Sequence, residues 1–268
     1  MSLRSPVITV MVKAAKKAAG RLRRDFGEVE NLQVSKKGPA DFVSTADITA
    51  EKTIRDELAY ARPDFGFLME ESGSTPARNG EERRWIVDPL DGTTNFLHGL
   101  PHFAISIGLE ERGQIAAGVV YDPIKDELFT AERGAGAYLN DRRLRVSSRE
   151  RLEEAVFATG IPFKGIPGHR QFLAELETVM EISSGVRRWG TASLDLAYVA
   201  AGRFDGYWER NLNAWDVAAG VLLVREAGGL VTEIGGGSHR VESNSILAVT
   251  PRLQDPLDRM LSKARARA

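Results

Sequence analysis

The chain has 268 residues, 43% hydrophobic and 27% charged, which is ordinary for a folded, enzyme-sized protein and long enough for a large core. Its 36 basic and 37 acidic residues leave a net charge of -1, so no global field draws it to nucleic acid or an anionic membrane, and direct nucleic-acid binding is disfavoured. It contains no cysteine, which excludes disulfides and thiolate metal sites, fits a cytoplasmic protein, and leaves any metal to oxygen or histidine ligands.

The N-terminal stretch SPVITVMVKAAKKAAGRLRRDF has no acid before Asp25 and invites a transit-peptide reading. An amphipathic helix fits better: Val7, Met11, Ala14, Ala18 and Leu22 recur at helical spacing, behind Ser5 as N-cap and Pro6 at the first helical position. Charges interrupt every apolar run well before about eighteen residues, so no membrane-spanning helix is expected. The pattern predicts a second helix over 47–60, with Ile48, Ile54, Leu58 and the alanines on one face and Glu51, Lys52 and Arg55 on the other.

FGFLMEES then reads as a strand over 65–69 that delivers Glu70 and Glu71, and GSTPARNGEERR as a surface loop. The strand WIV delivers Asp88, and further strands are expected at 103–109, 115–121 and 127–131. From Gly168 helices (169–182, 192–201, 215–227) alternate with short strands near Val186 and at 204–208, 230–232 and 246–249. The result is a mixed α/β protein with an antiparallel-rich first half and a layered second half. No linker or low-complexity stretch marks a boundary, so residues 1–268 are expected to form a single domain in two halves, about 1–150 and about 151–268.

The segment WIVDPLDGTTNFLHGLP, residues 85–101, concentrates the chemistry. A strand is expected to end at Asp88, Pro89 prevents further ladder pairing, and Gly92 permits a tight turn that opens a helix. Backbone N–H groups at a helix start, with threonine hydroxyls, suit phosphate oxygens. Carboxylates beside a phosphate repel it unless a divalent cation stands between them, and hard cations such as Mg2+ take oxygen ligands from both. Asp88 and Asp91 lie at i and i+3, which fails the i, i+2 register of the haloacid-dehalogenase DxDGT pattern, and no Walker A lysine follows the glycine.

Simpler readings stand beside these. Asp88 and Asp91 could be turn formers after a strand, and Asp216 in WDVAAG could cap the helix behind it. Asp41 and Asp47 are helix-start acids, and for Asp47 cap and catalytic group remain equally open. His98 and His102 are separated by Gly99 and Pro101 and belong to a loop or a substrate rim. The tryptophans read as core or pocket wall, and the glycines at 235–237 as a turn.

Taken together, KGPADFVSTAD, MEES, DPLDGTTNF, RGAGAYLN, LDLAYVAAGRFDG and WDVAAG followed by REAGG resemble the inositol monophosphatase family, in particular its bacterial inositol-1-monophosphatase type, from Lys36 to Gly229. The resemblance implies a layered α-β-α-β-α sandwich of the inositol monophosphatase and fructose-1,6-bisphosphatase type. It implies hydrolysis of inositol monophosphate and other small phosphomonoesters with two or three Mg2+ per active site, inhibited by lithium. By the same resemblance Glu70, Asp88 and the Leu90 carbonyl hold one metal, and Asp88, Asp91 and Asp216 another. Gly92, Thr93 and Thr94 contact the phosphate, Thr93 and Glu70 orient the attacking water, and Asp47 and Lys36 support that side. Glu209, Gly190, Thr191 and Ala192 match positions that contact the polyol.

Physical reasoning points the same way: four converging acids take up protons unless cations neutralise them, and paired metals about 3.5–4 Å apart can clamp an in-line displacement. Histidinol phosphate, fructose 1,6-bisphosphate and adenosine 3',5'-bisphosphate phosphatases share the metal motifs, so these substrates stay open. The resemblance further implies a homodimer, and association with transcription or RNA-processing machinery as an alternative role.

Overall fold

The structure, a computed structural model, describes residues 4–28, 34–38, 41–163 and 165–265. α1 (Pro6–Gly27) begins as its sequence dictates: the Ser5 hydroxyl accepts from the Ile8 N–H at 3.2 Å, and Met11, Ala14, Ala18 and Leu22 are buried. β1 (Val34–Gly38) and β2 (Asp41–Ser44) pair antiparallel and lead into α2 (Thr45–Ala61).

An eight-stranded sheet follows, built from β3 (Gly66–Met69), β4 (Gly73–Thr75), β5 (Arg83–Asp91), β6 (Ala104–Glu111), β7 (Gln114–Asp122), β8 (Glu127–Glu132), β9 (Gly136–Leu139) and β10 (Arg142–Arg143), in the order β10-β9-β8-β7-β6-β5-β3-β4. Only the β3–β5 pairing is parallel. Between β5 and β6 lies the short α3 (Thr93–Leu97).

The second half supplies β11 (Val156–Thr159), α4 (His169–Ile182), β12 (Gly185–Arg187), α5 (Ala192–Ala200), β13 (Gly206–Arg210), α6 (Ala214–Glu226), β14 (Leu230–Thr232), β15 (Ser245–Val249) and α7 (Gln254–Arg265). Its five strands order as β12-β11-β13-β15-β14.

The layers run α1/α2, large sheet, α5/α6, small sheet, α4/α7, the expected α-β-α-β-α sandwich. Every residue of α5 is buried because a helix between two sheets has no wet face. α6 lies close on the large sheet because Gly108 and Gly118 pair across β6 and β7: a Cβ on Gly108 would meet the Ala218 Cβ at 2.9 Å, and one on Gly118 the Ala219 Cα at 3.0 Å. Among the described residues no helix is long and apolar enough to cross a membrane.

Four expectations need correction. The WIV strand does not end at Asp88; it continues to Asp91 through an irregular register. On α2, Ile48 is 55% exposed, whereas Glu51, placed on the outer face by its charge, is 5% exposed. The GSTPARNGEERR loop contains the edge strand β4. The sequence pattern predicts no counterpart of β1, β2, β9, β10, β11 or α7: the strands are five residues or fewer, and α7 buries only a narrow apolar stripe, including Leu257 and Leu261, in a polar background broken by Pro256.

Candidate active site

The site grows from the β5 irregularity. Asp88 pairs with Ser106 and Asp91 with Ala104, so three residues on β5 span two on β6. That extra residue is a β-bulge, and it reverses the alternation. Without it, aspartates three apart would point to opposite faces. With it, both face the α5/α6 layer, while Leu90 packs into the core on the α1/α2 side. Pro89, which has no N–H to give the ladder, sits within the bulge. The Leu90 N–H donates to Asp88 Oδ1 at 2.9 Å, fixing that carboxylate, and the Leu90 carbonyl accepts from the Thr93 hydroxyl at 3.0 Å.

Gly92 turns the chain into α3 with φ +94°, and a Cβ there would lie 2.7 Å from Thr191 Oγ1, so both conformation and space require glycine. Asn95 clamps this turn to the second half by donating to the carbonyls of His102 and Trp189, each at 2.8 Å. α5 completes the link: the Ser193 N–H donates to Asp91 Oδ2 at 2.7 Å, at the positive end of the helix.

Asp47 caps α2 and also reaches the Thr93 hydroxyl. Its Oδ2 accepts from the Ser44 N–H at 2.8 Å as part of a capping box, and its Oδ1 accepts from the Thr93 hydroxyl at 3.1 Å. Asp216 likewise caps α6, accepting from the Asn213 N–H at 2.7 Å, and still faces the acidic cluster. Glu70 follows β3, held by its N–H to the Val87 carbonyl at 3.2 Å, and the buried Glu51 takes the next N–H, that of Glu71, at 2.8 Å.

The carboxyls feel one another's charge. Burial, then the charges of Glu70, Asp91 and Asp216, push the Asp88 carboxyl well above the ordinary carboxylate range. Burial raises Asp91 to about 6, against the lowering influence of the Ser193 hydroxyl and the N–H groups of Ser193 and Ala192. Asp216 is pushed well up by burial and by Asp91, Glu70 and Glu209. Among the described residues no three His, Asp or Glu side chains already stand together as a ready ion site, so the fit rests on the donors' chemistry. Mutually repelling carboxylates beside the Leu90 carbonyl are the oxygen ligands that Mg2+ takes.

Glu70, Glu209, Trp215 and Asp216, with the 159–163 segment and Phe172, line a cleft of about 840 Å³. Glu209, on β13, accepts from the Tyr207 hydroxyl, and burial raises its carboxyl to about 7, with Tyr207 opposing. Thr191 is buried, its hydroxyl donating to the His102 carbonyl at 3.2 Å, and the Ala192 N–H faces Asp91. Gly190 holds φ +75° at the bend before α5. Lys36 and Asp41 lie in β1 and β2, but their side chains fall outside the described set. His98 is exposed, and His102 stacks edge-on against Trp189 with ring centroids 4.8 Å apart.

Sequence reasoning missed Ser44, Glu51, Asn95, Gly160, Ser193, Asp195 and Tyr207. A capping-box reading of STAD would have found Ser44, and strand alternation would have placed Tyr207 on the face of Glu209. Asp195, buried on α5 and pushed well up by burial and by Glu209 and Asp91, has no local signal.

A sequence model described as the inositol monophosphatase family matches residues 3–266. The inositol-1-monophosphatase of Rhizobium meliloti is 57% identical over 97% of both chains. The Nus factor SuhB of Pasteurella multocida is 42% identical over 93% of both. The crystal structure of the extragenic suppressor protein suhB from Bartonella henselae superposes with a TM-score of 0.93 at 60% identity, covering 97% of this chain and 99% of that one.

Proposed function

The chain belongs to the inositol monophosphatase family of phosphatases, and from that premise we propose that it is a cytoplasmic, Mg2+-dependent hydrolase of inositol 1-phosphate and other small phosphomonoesters, releasing inositol and inorganic phosphate. The observation that carries this reading is the convergence of Glu70, Asp88, Asp91 and Asp216 in one electrostatic field beside Glu209. These residues come from both halves, which supports a single catalytic unit.

Glu70, Asp88 and the Leu90 carbonyl would hold one ion, and Asp88, Asp91 and Asp216 another. When bound, the ions supply charge neutralisation for the phosphate and acidify the attacking water. The remaining work falls to the chain. The N–H groups of Gly92, Thr93 and Thr94 receive phosphate oxygens, and Glu70 with Thr93 orients the water. A proton leaving that water has a path through Thr93 Oγ1 to Asp47 Oδ1, 3.1 Å away. Glu209 accepts ring hydroxyls, with Gly190, Thr191 and Ala192 bordering the alcohol.

A phosphate-release screen tests the proposal, with inositol 1-phosphate, histidinol phosphate, fructose 1,6-bisphosphate and adenosine 3',5'-bisphosphate as substrates. The inositol ester should turn over fastest, only with Mg2+, and lithium should inhibit. Full activity in excess EDTA would overturn the metal assignment, and faster turnover of another ester would replace the substrate.

The relative named Nus factor SuhB supports a second, compatible role in transcription or RNA processing. Capture of transcription proteins by an inactive Asp88→Asn chain tests it. A homodimer is supported by exposed apolar surface around His102: Leu100 is 52%, Ile124 37% and Trp189 40% exposed. A monomer mass in light scattering at micromolar concentration would remove that claim.

A further inference from the structure

We propose that Gly160 and Tyr207 set the substrate selectivity of this cleft by seating the Glu209 carboxylate; the inference rests on the reading of Glu209 as the polyol acceptor. The parallel pairing of β11 with β13 places Thr159 opposite Trp208, so the next residues, Gly160 and Glu209, come level. The Thr159 hydroxyl donates to the Trp208 carbonyl at 2.8 Å and fixes that register. A Cβ on Gly160 would lie 1.8 Å from Glu209 Oε1 and 2.2 Å from Oε2. The carboxylate therefore occupies the space of the side chain that residue 160 lacks.

Gly160 is absent from the glycines with positive φ, so its backbone suits any residue. The glycine is needed by Glu209 and not by the fold. Tyr207, two residues earlier on the same face of β13 and fully buried, donates its hydroxyl to Glu209 Oε2. One oxygen is thereby engaged, and Oε1 is left to accept from a substrate. On α5, Asp195 is buried, and its Oδ1 has no partner among the described residues. Glu209 is thus held by the space at Gly160 and by Tyr207, and an alcohol lacking a hydroxyl at Oε1 gains nothing from it.

Gly160→Ala tests the seat directly, because the atoms it would strike are the mobile end of one side chain. The ratio of kcat/KM for inositol 1-phosphate to that for p-nitrophenyl phosphate should fall about tenfold, through KM of the inositol ester more than through kcat. Tyr207→Phe should lower the same ratio by about fivefold. In a Glu209→Gln background Gly160→Ala should add little, since its effect passes through the carboxylate; this cycle separates seating from general damage. If Glu209→Gln lowers the ratio while Gly160→Ala and Tyr207→Phe keep it, the seat is wrong and the polyol reading stands. A wild-type ratio in Glu209→Gln overturns both. Equal loss on the two esters in Gly160→Ala overturns the selectivity role.

Discussion

The turn joining β5 to α3 and the wall made by β11, β13 and α5 feel one another's charges but are constructed in opposite ways. In the turn, Asp88, Leu90, Asp91, Gly92, Thr93 and Asn95 are near neighbours in sequence, and one bulge with one glycine arranges them. In the wall, Gly160, Asp195, Tyr207 and Glu209 come from three elements and meet only through strand register and helix packing. On the proposed function, the turn contains the groups that would act on any phosphate ester, and the wall those that would meet the alcohol. The Ser193 N–H on Asp91 and the Asn95 amide on the Trp189 carbonyl tie the two together.

If this division is sound, damage in the turn is blind to the leaving group and damage in the wall is not. The largest effect is expected for Asp88→Asn, which removes charge from the most buried member of the cluster. Hydrolysis of inositol 1-phosphate and of p-nitrophenyl phosphate should both fall by about 10³-fold or more. Substantial activity on either ester would break the comparison at its strongest point.

Thr93→Val keeps the size of the residue and removes the hydroxyl between Asp47 and the Leu90 carbonyl. A loss of about 10²-fold in kcat is expected for both esters, with KM little altered. Glu209→Gln should instead cost about 1–3 kcal/mol in kcat/KM on the inositol ester, with a much smaller change on the p-nitrophenyl ester. A change confined to the p-nitrophenyl ester would reverse the assignment of the two regions.

The same contrast explains what could be read in advance. α1 and α4 were legible because each shows an apolar stripe of helical period between clear ends, and the acid–glycine–threonine grouping was legible as chemistry because its members are adjacent. The bulge was not, since pairing is a property of two strands; Pro89 signals a break in the ladder but not its direction. On α2 the site overrides hydrophobicity. Asp47 and Glu51 lie one turn apart on the buried side because Thr93 and the Glu71 N–H need them, and Ile48 is turned outward. Gly160 carries no signal, because its reason for being glycine lies 49 positions away at Glu209.

The smallest expected effect, on stability, separates the two regions by pH. Both contain carboxyls raised by burial: in the turn's cluster Asp88 and Asp216, with Asp91 at about 6, and in the wall Asp195, with Glu209 at about 7. A raised carboxyl keeps its proton in the folded state where the unfolded chain has lost it, so the stability it contributes is present at low pH and is lost as pH rises through the folded value. His102 and His239, lowered to about 4 by burial, act in the opposite sense, but in the unfolded chain each is already about half deprotonated at pH 6.5, and they are two against these five raised carboxyls. Between pH 6.5 and 8 the carboxyls therefore dominate, and without metal the Tm should fall by about 3 °C. Saturating Mg2+ should shrink the fall, because it keeps the turn's carboxyls ionised at both pH values. Glu209→Gln in Mg2+ should shrink it further, leaving Asp195. A Tm that rises over this range in EDTA would mean that the acids of both regions are ionised in the folded protein without cations.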